Sequence, residues 1–150
     1  MKPGHCCRWL LLCGFVASVG LGCGRRADKW VQRRPPTFPT KGVVTMNGKG
    51  VEGAVVSFDS KAHNLTAVGR TDSAGRFVLK TFGNADGAPA GDHSVRIEKR
   101  EVTGYDSQGL PLGEVNRLPP QYEGATSRLT ATVSATGGNA FRFELGEAAR

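Results

Sequence analysis

The chain has 150 residues and a formal net charge of +7, which is long enough for one domain with a buried core and short for two. Six basic residues against one acidic residue give +5 over residues 24–42, whereas 12 basic and 12 acidic residues balance from residue 43 onward. A neutral domain without a basic face argues against DNA or RNA as a partner.

The first 22 residues resemble a secretory signal peptide. Lys2 and Arg8 make a basic start without an acidic residue, and "WLLLCGFVASVGL" follows as an apolar run of about 13 residues. That run is shorter than the roughly 20 residues that a membrane-spanning helix needs. We therefore expect the protein to be exported.

The end of this segment, "GLGC" at residues 20–23, resembles the lipobox of bacterial lipoproteins, in which a diacylglycerol is attached to the cysteine that becomes the mature N-terminus. The family prefers Leu where this chain has Gly20, so an ordinary secreted protein is the alternative. Cleavage before Cys23 leaves one cysteine in 128 residues (150 minus 22), which excludes a disulfide framework and a cysteine metal site. The resemblance implies a lipid on Cys23, a membrane-anchored place in the cell envelope and no other cofactor.

The basic stretch after Cys23 contains Pro35, Pro36 and Pro39, which favour an extended, semi-rigid backbone. Behind a lipid its charges would meet anionic head groups, each contributing about 1 kcal/mol near such a surface. A solvated linker is the alternative. We assign the lipidated cysteine and tether to residues 23–41, a folded domain to 42–146 and a tail to 147–150.

From Gly42 the apolar pattern changes to period two, with turn residues between short runs, which predicts β-strands. Asn47-Gly48 is the strongest short hairpin signal, and "ATGGN" at residues 135–139 is predicted to connect a second hairpin. Seven short strands without a helical repeat predict an all-β fold. We expect a seven-stranded antiparallel β-sandwich of two sheets packed face to face.

In "VGRTDSAGRFVLKTF", residues 68–82, two strand-like runs flank an Asp/Ser/Gly cluster. We interpret it as a structural hairpin turn, in which the Asp72 carboxylate caps backbone N–H groups and Gly75 takes a positive φ. An EF-hand loop counted from Asp72 would place Ala74 and Arg76 where oxygen ligands are required, so that calcium site is excluded. A looser site on three other loop aspartates stays open: Asp59, Asp86 and Asp92.

The residues expected for catalysis are missing. Neither His63 nor His93 begins a His-x-x-Glu or His-Glu-x-x-His zinc motif, and no Gly-x-Ser-x-Gly elbow occurs. We therefore expect no metal, no catalytic residue and no enzymatic activity, with His93 packing at the end of a strand.

Two segments are the candidates for binding. Residues 83–92 form a Gly/Pro/Asp loop, and residues 101–121 are predicted to be a long loop, of a length that is often functional. Tyr105 and Tyr122 could stack on a sugar or anchor a peptide there, although a packing role is favoured for Tyr122.

Three pieces of the domain together resemble the carboxypeptidase regulatory-like, transthyretin-like β-sandwich family: "GVVTMNGKGVEGAVVSF", "GRTDSAGRFVLKTF" and "APAGDHSVRI". The ending "LPPQYEGATSRLTATVS" is similar to small bacterial lipoproteins of this kind. The resemblance spans residues 42–145 and implies a transthyretin-like Greek-key sandwich without catalytic function. The expected function is a lipid-anchored structural or interaction module of the cell envelope. The alternative is a carbohydrate- or peptide-binding module that uses residues 83–92 and 101–121; the oligomeric state stays open.

Overall fold

The computed structural model describes residues 34–146; the predicted signal peptide, Cys23, most of the tether and the tail lie outside these residues. The described part of the chain is all-β, with no α-helix and two short 3₁₀ turns at Pro120–Tyr122 and Gly124–Thr126. Within residues 34–146 we find no helix with the length and apolar character that crossing a membrane requires.

The strands of the described residues, in chain order, are β1 Thr37–Phe38, β2 Thr40–Met46, β3 Lys49–Gly50, β4 Val55–Ser60, β5 Leu65–Arg70, β6 Arg76–Val78, β7 Ala88–Pro89, β8 Gly91–Glu98, β9 Arg100–Tyr105, β10 Pro111–Asn116, β11 Leu129–Val133 and β12 Asn139–Leu145. Strand structure therefore begins at Thr37, and residues 37–41 of the predicted tether lie largely in β1 and β2.

Two four-stranded sheets make up the body of the domain. The first has the order β11-β8-β4-β5 and is antiparallel throughout. The second has the order β12-β2-β3, and β6 also pairs with β2. The Asn47-Gly48 turn connects β2 to β3, with φ of 52° and 74°, so the hairpin predicted from these two residues is confirmed.

The two sheets share one hydrophobic core. The predicted alternation is confirmed along β4 and β8, where Val56, Phe58, Val95 and Ile97 are fully buried. Phe58 of the first sheet meets the aromatic residues of the second, with its ring centroid 5.4 Å from that of Phe141. Strand periodicity therefore selects the inner faces correctly, because alternate side chains point to opposite sides of a sheet.

Strand pairing differs from the prediction at the C-terminal end. The turn at residues 135–139 does not make a hairpin, because β11 pairs with β8 and β12 pairs with β2 in the other sheet. The β2–β12 pair is parallel, with Asn139 opposite Thr40 and Leu145 opposite Met46, so the expected all-antiparallel arrangement is also wrong there. Turn residues show where a chain reverses and carry no information on which strand it meets next.

The stretch at residues 68–82 is a corner between sheets and not a simple hairpin. β5 belongs to the first sheet and β6 pairs with β2 in the second, while a single bridge joins Val68 to Lys80. The turn between them is held by Asp72, whose Oδ1 accepts the N–H groups of Ala74 at 2.9 Å and Arg76 at 2.8 Å.

Residues 101–121 are not the loop that we expected. Most of this segment forms β9 and β10, which pair antiparallel as a separate two-stranded sheet with two register shifts. We call residues 100–116 the arm.

Candidate functional site

The arm continues β8, one of the two central strands of the first sheet. β8 ends at Glu98 and β9 begins at Arg100, so the chain leaves the sheet and turns back on itself in β10. The N–H of Arg117 donates to the carbonyl of Lys99 at 2.8 Å, which closes the ribbon at its foot. In the described structure β9 and β10 pair only with each other, so each strand keeps one open edge.

The tip of the arm is a tight turn at residues 106–110. The Asp106 Oδ1 atom accepts the N–H groups of Gln108 and Leu110, both at 2.8 Å. Gly109 has φ +79°, a left-handed conformation that glycine adopts without strain. Because the carboxylate satisfies two backbone donors, the tip is held in one conformation.

Charged and polar contacts fix the foot of the arm. Arg100 pairs with Glu98 and with Glu123 of the segment that leads to β11. The Asn116 side chain accepts the N–H of Lys99 at 3.0 Å and donates to Glu123 at 3.2 Å. Leu118, which follows β10, is only 5% exposed and joins the core. The foot therefore has a defined position on the domain.

Outside the foot, the arm is apolar and exposed. Five of the seven large hydrophobic residues that are exposed in the described structure lie on it, and none of these five is in the core: Val102 (38% exposed), Tyr105 (65%), Leu110 (58%), Leu112 (69%) and Val115 (37%). Val102 lies opposite Glu114 and Val115 opposite Glu101, at adjacent positions of the ladder, so exposed apolar side chains occur on both faces of the ribbon.

The arm and the start of the described chain lie at opposite ends of β8. Arg34 precedes β1, which pairs with β7 immediately before β8 begins. The arm follows the other end of β8. Eight residues of strand at about 3.3 Å each separate the two ends by about 26 Å.

The two tyrosines singled out from the sequence have different surroundings and lie on different elements. Tyr105 ends β9 and exposes 65% of its surface. Tyr122 lies in the first 3₁₀ turn and packs against the core, and its hydroxyl accepts the N–H of Gly146 at 2.9 Å. Of the two tyrosines, only Tyr105 lies on the arm with its ring exposed to a ligand.

The loop at residues 83–92 is closed around Asp86. Its carboxylate accepts three backbone N–H groups, from Thr81 at 2.7 Å, Phe82 at 2.9 Å and Gly83 at 3.0 Å. Burial opposes ionisation, but these donors outweigh it and hold the pKa of Asp86 below its usual range. The Asp86 carboxylate is therefore occupied by the backbone N–H groups of residues 81–83.

The other two aspartates considered for calcium also have protein partners. Asp59 receives two hydrogen bonds from Arg96 of the neighbouring strand, at 2.7 and 3.1 Å. Asp92 accepts the hydroxyl of Thr132 at 2.6 Å. Among residues 34–146, no three His, Cys, Asp or Glu side chains are grouped as metal ligands would be.

His93 is an inward-facing residue of β8 and is 2% exposed. Its Nδ1 lies 2.9 Å from the carbonyl oxygen of Gly91, so Nδ1 carries the proton and donates. Its Nε2 is buried without a hydrogen-bond partner, and the ring packs against Phe58 with 5.8 Å between centroids. Burial lowers the pKa of His93, because the charged imidazolium would lose its hydration.

A signal for the arm was present in the sequence. "DSAG" at residues 72–75 and "DSQG" at residues 106–109 share the pattern Asp-Ser-x-Gly, and both make the same turn. The first was recognised because apolar residues alternate on both sides of it. The second was missed because Gly104 and Gly113, together with two register shifts, interrupt the alternation in β9 and β10.

No protein-family model matches this chain, and no curated protein sequence matches it. Among solved structures, the chain is similar to the crystal structure of a 9R-lipoxygenase from Cyanothece PCC8801, with 17% identity and a TM-score of 0.40. The aligned region covers 76% of this chain and 17% of the lipoxygenase chain. A likeness at that score carries no argument about function.

Proposed function

We propose that this protein is a non-enzymatic, lipid-anchored interaction module of the bacterial cell envelope, with a carboxypeptidase regulatory-like β-sandwich. Cys23 would carry the lipid, and the basic, proline-rich stretch after it would act as the spacer. The all-β architecture with two sheets around one core is compatible with that family.

One observation supports the interaction role more than any other. The exposed apolar arm lies at the end of β8 that is opposite to Arg34, where the described chain begins. A domain tethered through its N-terminus would therefore present the arm on the side away from its attachment. An extended ribbon with a fixed foot and a preorganised tip loses little conformational entropy when it binds.

Metabolic labelling with a radioactive fatty acid tests the anchor. The full-length protein is expressed in a bacterium that processes lipoproteins, beside the Cys23→Ala variant and a Cys13→Ala control. We expect label on the parent and the control and none on Cys23→Ala. An unlabelled parent, or equal label on all three, would remove the lipid from the proposal.

A second function, recognition of a glycan or an extended peptide by the arm, is favoured by the exposure of Tyr105. An aromatic ring in this position can stack on a sugar or cover an apolar side chain. A glycan array and a peptide array probed with the full chain test this function. Tyr105→Ala should abolish any binding, whereas Tyr122→Phe, which keeps the ring that packs on the core, should not.

A further inference from the structure

We propose that one water molecule is bound inside the core between Ser60 of β4 and His93 of β8, where it bridges the Ser60 hydroxyl and the His93 Nε2 atom. The site is independent of the lipid anchor and of the arm, because it lies on the inner face of the first sheet.

Two buried polar side-chain atoms of residues 34–146 have no hydrogen-bond partner in the protein: Ser60 Oγ and His93 Nε2. Ser60 is 3% exposed and His93 is 2% exposed, so bulk solvent does not hydrate either side chain. Buried polar atoms of native proteins are nearly always hydrogen-bonded, either to the protein or to ordered water. We therefore expect each of these two atoms to have a partner that is not a protein group.

Ser60 and His93 occupy neighbouring positions on the two central strands of the first sheet. The β4–β8 register ends with Asp59 opposite Ser94, so the next position places Ser60 opposite His93. Both side chains are buried and point into the core, because alternate residues of these two strands face inward. Side chains directly opposite each other in an antiparallel pair have Cβ atoms about 4.5–5.5 Å apart. The two unpartnered atoms are therefore close enough to share one partner.

The tautomer of His93 determines what that partner must do. Nδ1 donates to the carbonyl oxygen of Gly91 at 2.9 Å, so Nε2 carries no proton in the neutral ring and accepts a hydrogen bond. The partner must therefore donate to Nε2 and also bond to the Ser60 hydroxyl, which can donate or accept. The two side chains do not hydrogen-bond each other directly. Water is the smallest molecule that meets both demands, and buried waters make two to four such bonds.

Small side chains flank His93 on both neighbouring strands. Ala131 of β11 is opposite His93 on one side and Ser60 is opposite on the other, so neither neighbour fills the space beside the ring. His93 and Ala131 also border a surface groove, with Lys61 on its wall, through which solvent can reach this end of the sheet. A metal ion fits the site less well, because no three His, Cys, Asp or Glu side chains of residues 34–146 are grouped as its ligands.

Nuclear magnetic resonance of the full chain with isotope-labelled histidine tests the proposal. We expect a cross-peak between the ring protons of His93 and a long-lived water molecule. Ser60→Val, whose methyl groups take the place of the water, should abolish this cross-peak and shift the Nε2 resonance. Thr71→Val is the control, because the Thr71 hydroxyl is buried but bonds to Ala54 beyond the other end of β4; it should leave both signals unchanged. Circular dichroism should show that both variants are folded.

Urea unfolding of a double-mutant cycle measures whether the two side chains share a partner. Ser60→Ala and His93→Phe each remove one side of the bridge, so the double variant's folding constant should differ from the product of the two single effects by at least about threefold. Thr71→Val combined with His93→Phe should match that product within about twofold.

Three results would overturn the proposal. The first is a folded parent without a water cross-peak at His93, which includes the case of a Ser60 hydroxyl that bonds Nε2 directly. The second is a cross-peak that Ser60→Val leaves unchanged. The third is a cycle in which Ser60 and His93 act independently of each other.

Discussion

Asp72 and Asp106 close two distant turns with the same set of hydrogen bonds. In each turn one carboxylate oxygen accepts the N–H groups two and four residues further on, at 2.8–2.9 Å. In each, the aspartate N–H donates to the carbonyl four residues on, and the aspartate carbonyl accepts the N–H of the glycine. One turn connects the two sheets of the body, and the other closes the tip of the arm.

Removal of the two carboxylates should therefore have unequal effects. Asp72→Ala is expected to lower the free energy of unfolding by about 1–2 kcal/mol, because two backbone donors between the sheets lose their acceptor. Asp106→Ala should change it by less than about 0.5 kcal/mol, since only the arm loosens. Urea unfolding measures both values. Asp72→Asn, which keeps an acceptor oxygen, is the control and should recover most of the loss; equal effects at the two positions would contradict the assignment.

The glycines of the two turns make a second matched pair. Gly75 and Gly109 have nearly the same φ, +77° and +79°, but a Cβ on Gly75 would lie 2.2 Å from the carbonyl oxygen of Val44, whereas a Cβ on Gly109 meets nothing within 4 Å. Gly75→Ala should therefore cost more than about 3 kcal/mol, from left-handed strain together with a backbone clash. Gly109→Ala carries the strain alone, at about 1–2 kcal/mol and within the arm. A thermal unfolding scan in which both variants melt together would contradict this prediction.

His93 should make the stability of the domain depend on pH. Its folded-state pKa is lowered by burial, whereas the unfolded chain has the ordinary value of about 6.5. Below that value the unfolded state binds more protons, so stability is complete above about pH 6.5 and is lost as the pH falls toward the folded-state pKa. Unfolding free energies measured across this range should fall for the parent.

Two substitutions isolate that effect. His93→Phe removes the titrating group and keeps an aromatic ring beside Phe58, so its stability should not fall through the same range. His63 is exposed in the turn after β4, and His63→Gln should retain the dependence of the parent. Identical pH profiles for all three proteins would show that His93 does not carry the effect.

Contacts at the foot of the arm should contribute to the free energy of unfolding of the domain, whereas the exposed side chains of β10 should not. Leu118 is 5% exposed in the core, so Leu118→Ala should lower the free energy of unfolding by about 2–4 kcal/mol through lost burial and a cavity. Leu112 is 69% exposed, and Leu112→Ala should change it by less than about 0.5 kcal/mol. Urea unfolding compares the two directly.

The sequence was sufficient to predict an all-β fold and the buried faces of β4 and β8, but not the short strands such as β3, which lies where only turn residues were predicted. The apolar residues of β4 and β8 recur at every second position, because alternate side chains of a strand point into the core between the two sheets. The buried ones are Val56, Phe58, Val95 and Ile97. The choice of partner for each strand could not be predicted from such a local pattern. The parallel contact of β12 with β2 joins residues nearly a hundred positions apart, and no local signal near Asn139 specifies that partner.

The structure of the candidate binding segment was predicted wrongly, and its role in binding stays a prediction. Residues 101–121 were expected to be a loop because three glycines and three prolines interrupt any strand pattern, yet β9 and β10 form a ribbon there. Register shifts beside Gly104 and Gly113 move apolar side chains out of strict alternation. Asp106 and Gly109 were the remaining local sign of a hairpin, through their likeness to Asp72 and Gly75.

Hydrogen exchange of the arm's backbone amides tests most directly whether residues 100–116 form a folded ribbon. The account predicts protection at four amides with identified acceptors, those of Lys99, Asp106, Leu110 and Arg117. Uniformly fast exchange from Arg100 to Asn116 would show a flexible loop and contradict the account.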